Sequence, residues 1–293
     1  MKPTIRLFVT PAAAVAVAFA CAAPAALAQG APDTLGRIRA AKEIRVVYSG
    51  DSLPFSFQSP GGQPTGYSID LCRKVIAAIG QAVGEPNLRV VWTPGTVAER
   101  IAAVKTGRAD LDCANTTATL SRMADVDFGN LIFVDGGGLL VRSDTPINRF
   151  ADLTGRRIGV IAGTTTEARL AQMMKDRRVE AAVVRVREGP EAIAMMESGT
   201  LDAFASDKIK LVGLAANAKD TSAYALLAED LSFEPYAFAM ARGDAAMRLA
   251  VNRALSRTYR SGEIEGIFRQ WLGALGRPSA LLAAMYVLNV VPE

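Results

Sequence analysis

One pattern limits the folds open to this chain more than any other. Strands and helices alternate in two rounds, and the alternation breaks in two places. In the first round, apolar strands are expected at residues 44–48, 88–92 and 109–113. Between them lie two helices, one from about residue 68 and one over 97–106. The first places Ile69, Cys72, Val75, Ile76, Ile79 and Val83 along one face. The second starts with Glu99 and Arg100 and stops at Gly107. A short helix over 34–41, capped by Asp33, precedes them. Strands alternating with helices are the signature of a parallel sheet.

The first break falls at 133–138, where Gly136, Gly137 and Gly138 read as a flexible stretch. A second alternation follows, with strands at 139–142, 157–161, 182–186 and 203–206, the last ending at Asp207. Gly163 to Glu167 opens a helix in which Thr164 and Glu167 are spaced as a capping box. Residues 190–198 form a helix with Pro190 in its first turn. The second break is Phe233-Glu234-Pro235-Tyr236, before a strand at 237–241. Helices over 244–260 and 263–272 follow. The amphipathic tail at 279–290 is too short to span a bilayer, which needs about 20 residues.

Two sheets, each with polar loops at strand ends, predict an α/β chain of two lobes, each a mainly parallel sheet flanked by helices, facing across a cleft. Ligands favour such interfaces, and hinges are a few residues at element ends. The breaks are the expected crossings, giving a first lobe at 29–135 and 235–293 and a second at 136–234. The polar loops include residues 49–52, after the first strand. They also include 115–122, which reads Asn-Thr-Thr-Ala-Thr-Leu-Ser-Arg. Threonine hydroxyls donate or accept, and an arginine fork matches a carboxylate with two parallel hydrogen bonds. The plainer alternative is a polar surface turn whose arginine pairs locally.

Residues 1–28 read as an export leader. Lys2 and Arg6 give a positive start, 8–19 is an apolar run, and Ala26-Leu27-Ala28 is a small-x-small cleavage site before Gln29. Cys21 raises a lipid-anchored alternative, but residues 18–20 lack the leucine and small residue usual before a lipidated cysteine.

The chain has no histidine, which excludes histidine-based triads, general bases and metal ligands. Cys72 and Cys113 are the cysteines left after the leader, too few for a four-cysteine zinc site. In an exported protein they read as one disulfide, with two buried free thiols as the alternative. Neither a metal nor a cofactor is expected. With 33 basic and 29 acidic residues, the balance is too even to point to a nucleic-acid partner.

Six motifs in order point to a family: Leu53-Pro54-Phe55, Gly66-Tyr67-Ser68-Ile69-Asp70-Leu71, Thr117-x-Thr119-x-x-Arg122, Phe150-Ala151-Asp152-Leu153-x-Gly155, Gly163-Thr164-Thr165 and Ala203-Phe204-x-x-Asp207. Across residues 33–273 the chain resembles the periplasmic polar-amino-acid-binding proteins, extracellular solute-binding proteins of family three that serve ABC transporters. It looks closest to the glutamate/aspartate-binding group, on Gly66-Tyr67-Ser68, Cys113 before the threonine loop, and Arg100 opening its helix. Ser68 departs from the wider family, which usually carries an acidic residue there.

The resemblance implies a periplasmic receptor of the type II binding-protein fold, a monomer that passes a polar L-amino acid to a membrane permease. Arg122 would fork onto the α-carboxylate, with Thr117 and the backbone near Asn115 adding hydrogen bonds. Thr164 and Thr165 would offer N–H donors at a helix start, where an anion is favoured. Asp207 would accept from the α-ammonium; as an alternative it caps the helix begun by Lys208, and the two roles are compatible. Thr164 has a pure cap as its alternative. Ser49 and Ser52 fall at positions that touch the ligand side chain, and Ser49 stands where the glutamate/aspartate group places an arginine. Arg100 resembles a second basic contact in that group; its alternative is a solvated arginine paired to Glu99 or Asp51. Glu188 and Glu191 lie near a further side-chain position and would repel an acidic ligand. Glutamate or aspartate is the leading expectation, with glutamine close behind.

Two rivals remain at this level. A few relatives are exported dehydratases of cyclic acids, and Glu188, Glu191 or Asp51 could serve such an enzyme as proton carriers. The other rival is a ligand sensor with no transport role.

Overall fold

In the computed structural model of the chain, which describes residues 33–292 together with Met1, the chain opens with α1 (Thr34–Ala41). Asp33 caps it, its carboxylate accepting from Gly36 N at 2.8 Å. The leader, its cleavage site after Ala28 and Cys21 lie outside the described residues. β1 (Glu43–Tyr48) is followed by β2 (Asp51–Ser52), β3 (Ser56–Gln58) and β4 (Pro64–Thr65), a small antiparallel sheet. Residues 49–52 are therefore only partly loop. Asp51 and Ser52 pair with Phe57 and Ser56, a ladder too short to leave a periodic signal in sequence.

α2 (Tyr67–Val83), β5 (Arg89–Pro94), α3 (Val97–Lys105), β6 (Leu111–Asp112), α4 (Leu120–Met123) and β7 (Val126–Arg142) come next. All six residues read as the buried face of α2 are at most 7% exposed. Then come β8 (Arg157–Ile161), α5 (Thr165–Arg177), β9 (Ala182–Val186), α6 (Gly189–Glu197), β10 (Ala203–Asp207), α7 (Lys208–Ala216) and β11 (Tyr224–Leu226). β12 (Ser232–Ala241) then leads to α8 (Ala245–Arg260), α9 (Glu263–Leu272) and α10 (Ala280–Leu288).

The strands lie in the order β5-β1-β6-β12-β7-β10-β8-β9, with β11 beside β7. Pairing is parallel at both ends of this order and antiparallel in the middle, where β12 meets β6 and β7, and β7 meets β10. The fold is two-lobed, and each lobe has its own apolar core. One core joins α2, α8 and α9 to β1 through residues such as Ile44, Val75, Leu255 and Phe268. The other gathers Leu139, Ile158, Val160, Leu170 and Ala205.

The two sequence breaks are not interruptions. β7 runs unbroken for 17 residues through Gly136, Gly137 and Gly138, and β12 for 10 through Phe233–Tyr236. The glycines are there for close approach rather than flexibility. A Cβ on Gly137 would stand 2.3 Å from Ser232 Oγ, and one on Gly138 2.8 Å from Lys208 Cγ. The register of β12 shifts around Ala237, just after Pro235, where a missing N–H is tolerated at a bulge.

Cys72 and Cys113 form a disulfide that ties α2 to the residue after β6, with Cα atoms 5.9 Å apart. The C-terminal α10 buries Leu282, Met285 and Tyr286 on the first lobe, and Tyr286 Oη shares a 2.7 Å hydrogen bond with Tyr67 Oη. Among the described residues no helix is long and apolar enough to cross a membrane. Ser68, the departure from the family pattern, is buried with its hydroxyl lacking a partner among the described residues.

Candidate functional site

The loops after β1 and β6, with α4, form one wall of a cavity of about 400 Å³. The start of α5 and the β10–α7 junction form the other. That size lies within the usual range for small-molecule sites, roughly 300–1,000 Å³. Ser49, Ser52, Arg100, Asn115, Thr117, Arg122, Thr164, Thr165 and Asp207 all line it.

Arg122 is set by local hydrogen bonding. Thr119 caps α4 by accepting from Arg122 N at 3.2 Å, and Arg122 Nη1 donates to Thr117 O at 2.8 Å. No carboxylate among the described residues comes within 4 Å of the guanidinium, so it has no ion-pair partner there. Burial pulls its pKa below the usual arginine value, against the opposing charges of Asp112, Glu234 and Asp207. Desolvation without a partner is the condition in which a buried cation gains most from an incoming anion.

Ser49 Oγ lies 2.8 Å from Ser52 Oγ and donates to Asp51 Oδ1 at 2.8 Å. Arg100 is not the solvated arginine of the alternative reading. It is 4% exposed and donates from Nε to Asp112, from Nη1 to Gly95 O and from Nη2 to Thr116 Oγ1, at 2.9, 2.8 and 3.1 Å. Glu99 instead completes a capping box with Thr96. The Arg100 charge is thus already balanced by Asp112 before any ligand arrives.

On the second wall, Thr164 caps α5, accepting from Glu167 N at 3.1 Å. The reciprocal arm of the expected box is displaced by one residue: Glu167 Oε2 accepts from Gly163 N at 2.8 Å, and Glu167 Oε1 from Arg185. A glycine at φ +73° turns its amide toward that carboxylate. Beyond the cap, the Thr165 and Thr166 amides are first-turn donors with no acceptor inside the helix. Asp207 occupies the N-cap position of α7, yet its side chain makes no capping bond. Its carboxylate instead accepts from Asn115 Nδ2 at 3.2 Å, across the cleft, and from Thr166 Oγ1 at 3.4 Å.

The sequence reading missed several participants. Glu234, fully buried, accepts from Thr117 at 2.6 Å and from Thr165 at 2.7 Å, linking the two walls. Its sequence signal is a lone acid inside a mostly apolar stretch. Lys210 lines the cavity and is 9% exposed. Behind Asp207, Asp135 accepts from Gly136 N, Ile209 N and Tyr236 Oη. Burial, reinforced by the charge of Asp207, pushes its pKa up to about 7. Glu188 is exposed at the cavity wall, whereas Glu191 turns to Arg187 N at 2.7 Å. Among the described residues no cluster of acids and cysteines is placed to hold a metal ion.

Residues 44–274 match the bacterial extracellular solute-binding proteins, family 3, and the chain belongs to that family. More particularly, it is 34% identical over 239 residues to the L-glutamate/L-aspartate-binding protein of Pseudomonas aeruginosa, covering 81% of this chain and 79% of that one. A solved ancestral arginine-binding protein bound to glutamine superposes with a TM-score of 0.70 at 25% identity, over 79% of this chain and 98% of that one. A solved ancestral amino acid-binding protein, described as a precursor of cyclohexadienyl dehydratase, gives 0.69 at 27% identity, over 81% and 98% of the two chains.

Proposed function

We propose that this chain is an exported periplasmic receptor that captures an acidic L-amino acid, glutamate or aspartate, between its lobes and hands it to an ABC permease. It acts as a monomer after removal of residues 1–28. The observation that carries the reading is the charge on the two walls. Arg122 and Asp207 each lack an ion-pair partner among the described residues and face one cavity from opposite lobes. A zwitterion supplies what each lacks, because buried charges must be paired. Arg122 forks onto the α-carboxylate, and the Thr165 and Thr166 amides add donors. Asp207 and Thr117 take the ammonium side. Ser49, Ser52, Asn115 and Arg100 shape the rest of the pocket, and Thr164 holds the start of α5. The glutamate/aspartate-binding relative supports the ligand class.

Binding proceeds without turnover. Glu191 is engaged by Arg187 and Asp51 by Ser49, which leaves exposed Glu188 as a poor proton carrier for a sequestered substrate. Calorimetric titration with glutamate, aspartate, glutamine, asparagine and arginine is the test. The acidic pair binds tightest if the reading holds, and a preference for glutamine or arginine overturns the ligand class. Incubation with prephenate or arogenate should yield no product, and turnover would establish the enzymatic alternative.

A further inference from the structure

Lys210 is a buried cation on the cavity wall with nothing to pair with. It is 9% exposed, and among the described residues its ammonium has neither an ion pair nor a hydrogen bond. Its neighbour Lys208 pairs with Asp230. Lys210 also sits in the first turn of α7, where the helix end disfavours positive charge. A residue that breaks two local rules without compensation marks a functional position.

Its place in the fold says what it faces. Asp207, Lys210 and Gly213 follow at three-residue spacing on one face of α7. A Cβ on Gly213 would stand 3.3 Å from Leu53 Cδ2 and 3.4 Å from Leu53 O. That face of α7 therefore abuts the first wall beside Ser52, and Lys210 lies between this contact and Asp207. Nearby acids do not serve it. Asp112 is already matched to Arg100, and half-buried Asp51 has no cation within 4 Å among the described residues.

A neutral amino acid brings one carboxylate and one ammonium, which satisfy Arg122 and Asp207 and leave Lys210 unmatched. A dicarboxylic amino acid brings one more negative charge. We propose that Lys210 is the specificity-determining residue of this cleft and pairs with the side-chain carboxylate of the ligand. The inference rests on the acidic-amino-acid reading above.

The test is calorimetry of wild type, Lys210→Met and Lys210→Gln with L-glutamate and L-glutamine, with each ligand-free variant checked by thermal unfolding. Loss of one partner of a buried charged pair should weaken glutamate binding on the order of thirtyfold or more. Glutamine binding should change by less than about threefold. If wild type prefers glutamine, the acidic reading fails and this inference goes with it. If wild type prefers glutamate and both variants keep that preference, Lys210 is not the reader, although the acidic reading stands. Should Lys210→Met not fold, Lys210→Gln, which retains a polar tip, is judged by the same glutamate-to-glutamine ratio.

Discussion

The two walls of the cleft are built on opposite plans. On the first wall, Arg100 is clamped by Asp112, Thr116 and Gly95, Ser49 is linked to Ser52 and Asp51, and a disulfide fixes the strand end below. Its groups are held before any ligand is present. On the second wall Asp207 does not cap its helix, Lys210 has no counter-ion among the described residues, and the acids Asp135 and Glu234 are buried behind the surface. Apart from the unpaired Arg122, the first wall is a prepared template. The other gains its balance only from what comes to lie against it. Rigid placement lowers the ordering cost of binding, while unmatched charge makes closure depend on the ligand.

The largest expected effect removes Arg122, a first-wall cation that has no counter-ion among the described residues. Arg122→Ala should cost about 2–5 kcal/mol of ligand binding, the range for truncating a buried charged contact. Arg122→Lys should also weaken binding, because a point charge cannot replace the planar fork. Calorimetry with less than a fivefold loss for Arg122→Ala would show that the carboxylate is held elsewhere.

The next effect asks whether the template is covalently braced. Replacing Cys72 and Cys113 together by serine should lower stability by about 2–4 kcal/mol. Urea unfolding measures the loss, and hydrogen exchange should place it in α2 and β6 rather than in β8 and β10. Ligand affinity should stay within about threefold, and a larger drop would mean the bridge positions the site as well as the core.

The smallest effect probes the crowded charge of the second wall. Asp135 has a folded pKa raised to about 7, against roughly 3.9 when unfolded. Its contribution is full below about pH 4 and is lost as pH rises through 7. Ligand-free stability should therefore fall between pH 5 and 8 by on the order of 2 kcal/mol, and Asp135→Asn should flatten that slope. A ligand ammonium at Asp207 offsets one of the two causes of the raised pKa, so binding at pH 7 should release a few tenths of a proton. Calorimetry in buffers of different ionisation heat reads the release, and its persistence in Asp135→Asn would assign it to another group.

Periodic segments were legible from sequence. α1, β8, β9 and α9 begin and end where apolar spacing, caps and glycines put them. The small sheet β2–β4 was not, because two- and three-residue strands carry no period. The stretches at 133–138 and 233–236 read as breaks because glycine and proline normally mark turns, whereas here the glycines let β12 and Lys208 approach β7 closely and Pro235 precedes a register shift within a strand. Within the site, residues named by motif, such as Arg122 and Asp207, reach the cavity wall. Lys210 and Glu234 escape the sequence reading for another reason. A lysine in a helix and a glutamate beside a proline read as surface residues, and only tertiary placement buries them.

The β7–β12 pair also governs the mechanics of the molecule. A loose linker loses about 1–2 kcal/mol of backbone entropy for each residue it fixes. A hydrogen-bonded ribbon is already fixed, so its bending takes almost nothing from the free energy of capture. Such a ribbon flexes across its face and resists sliding along its length. In kind it is a leaf spring, stiff along the strands and compliant across them.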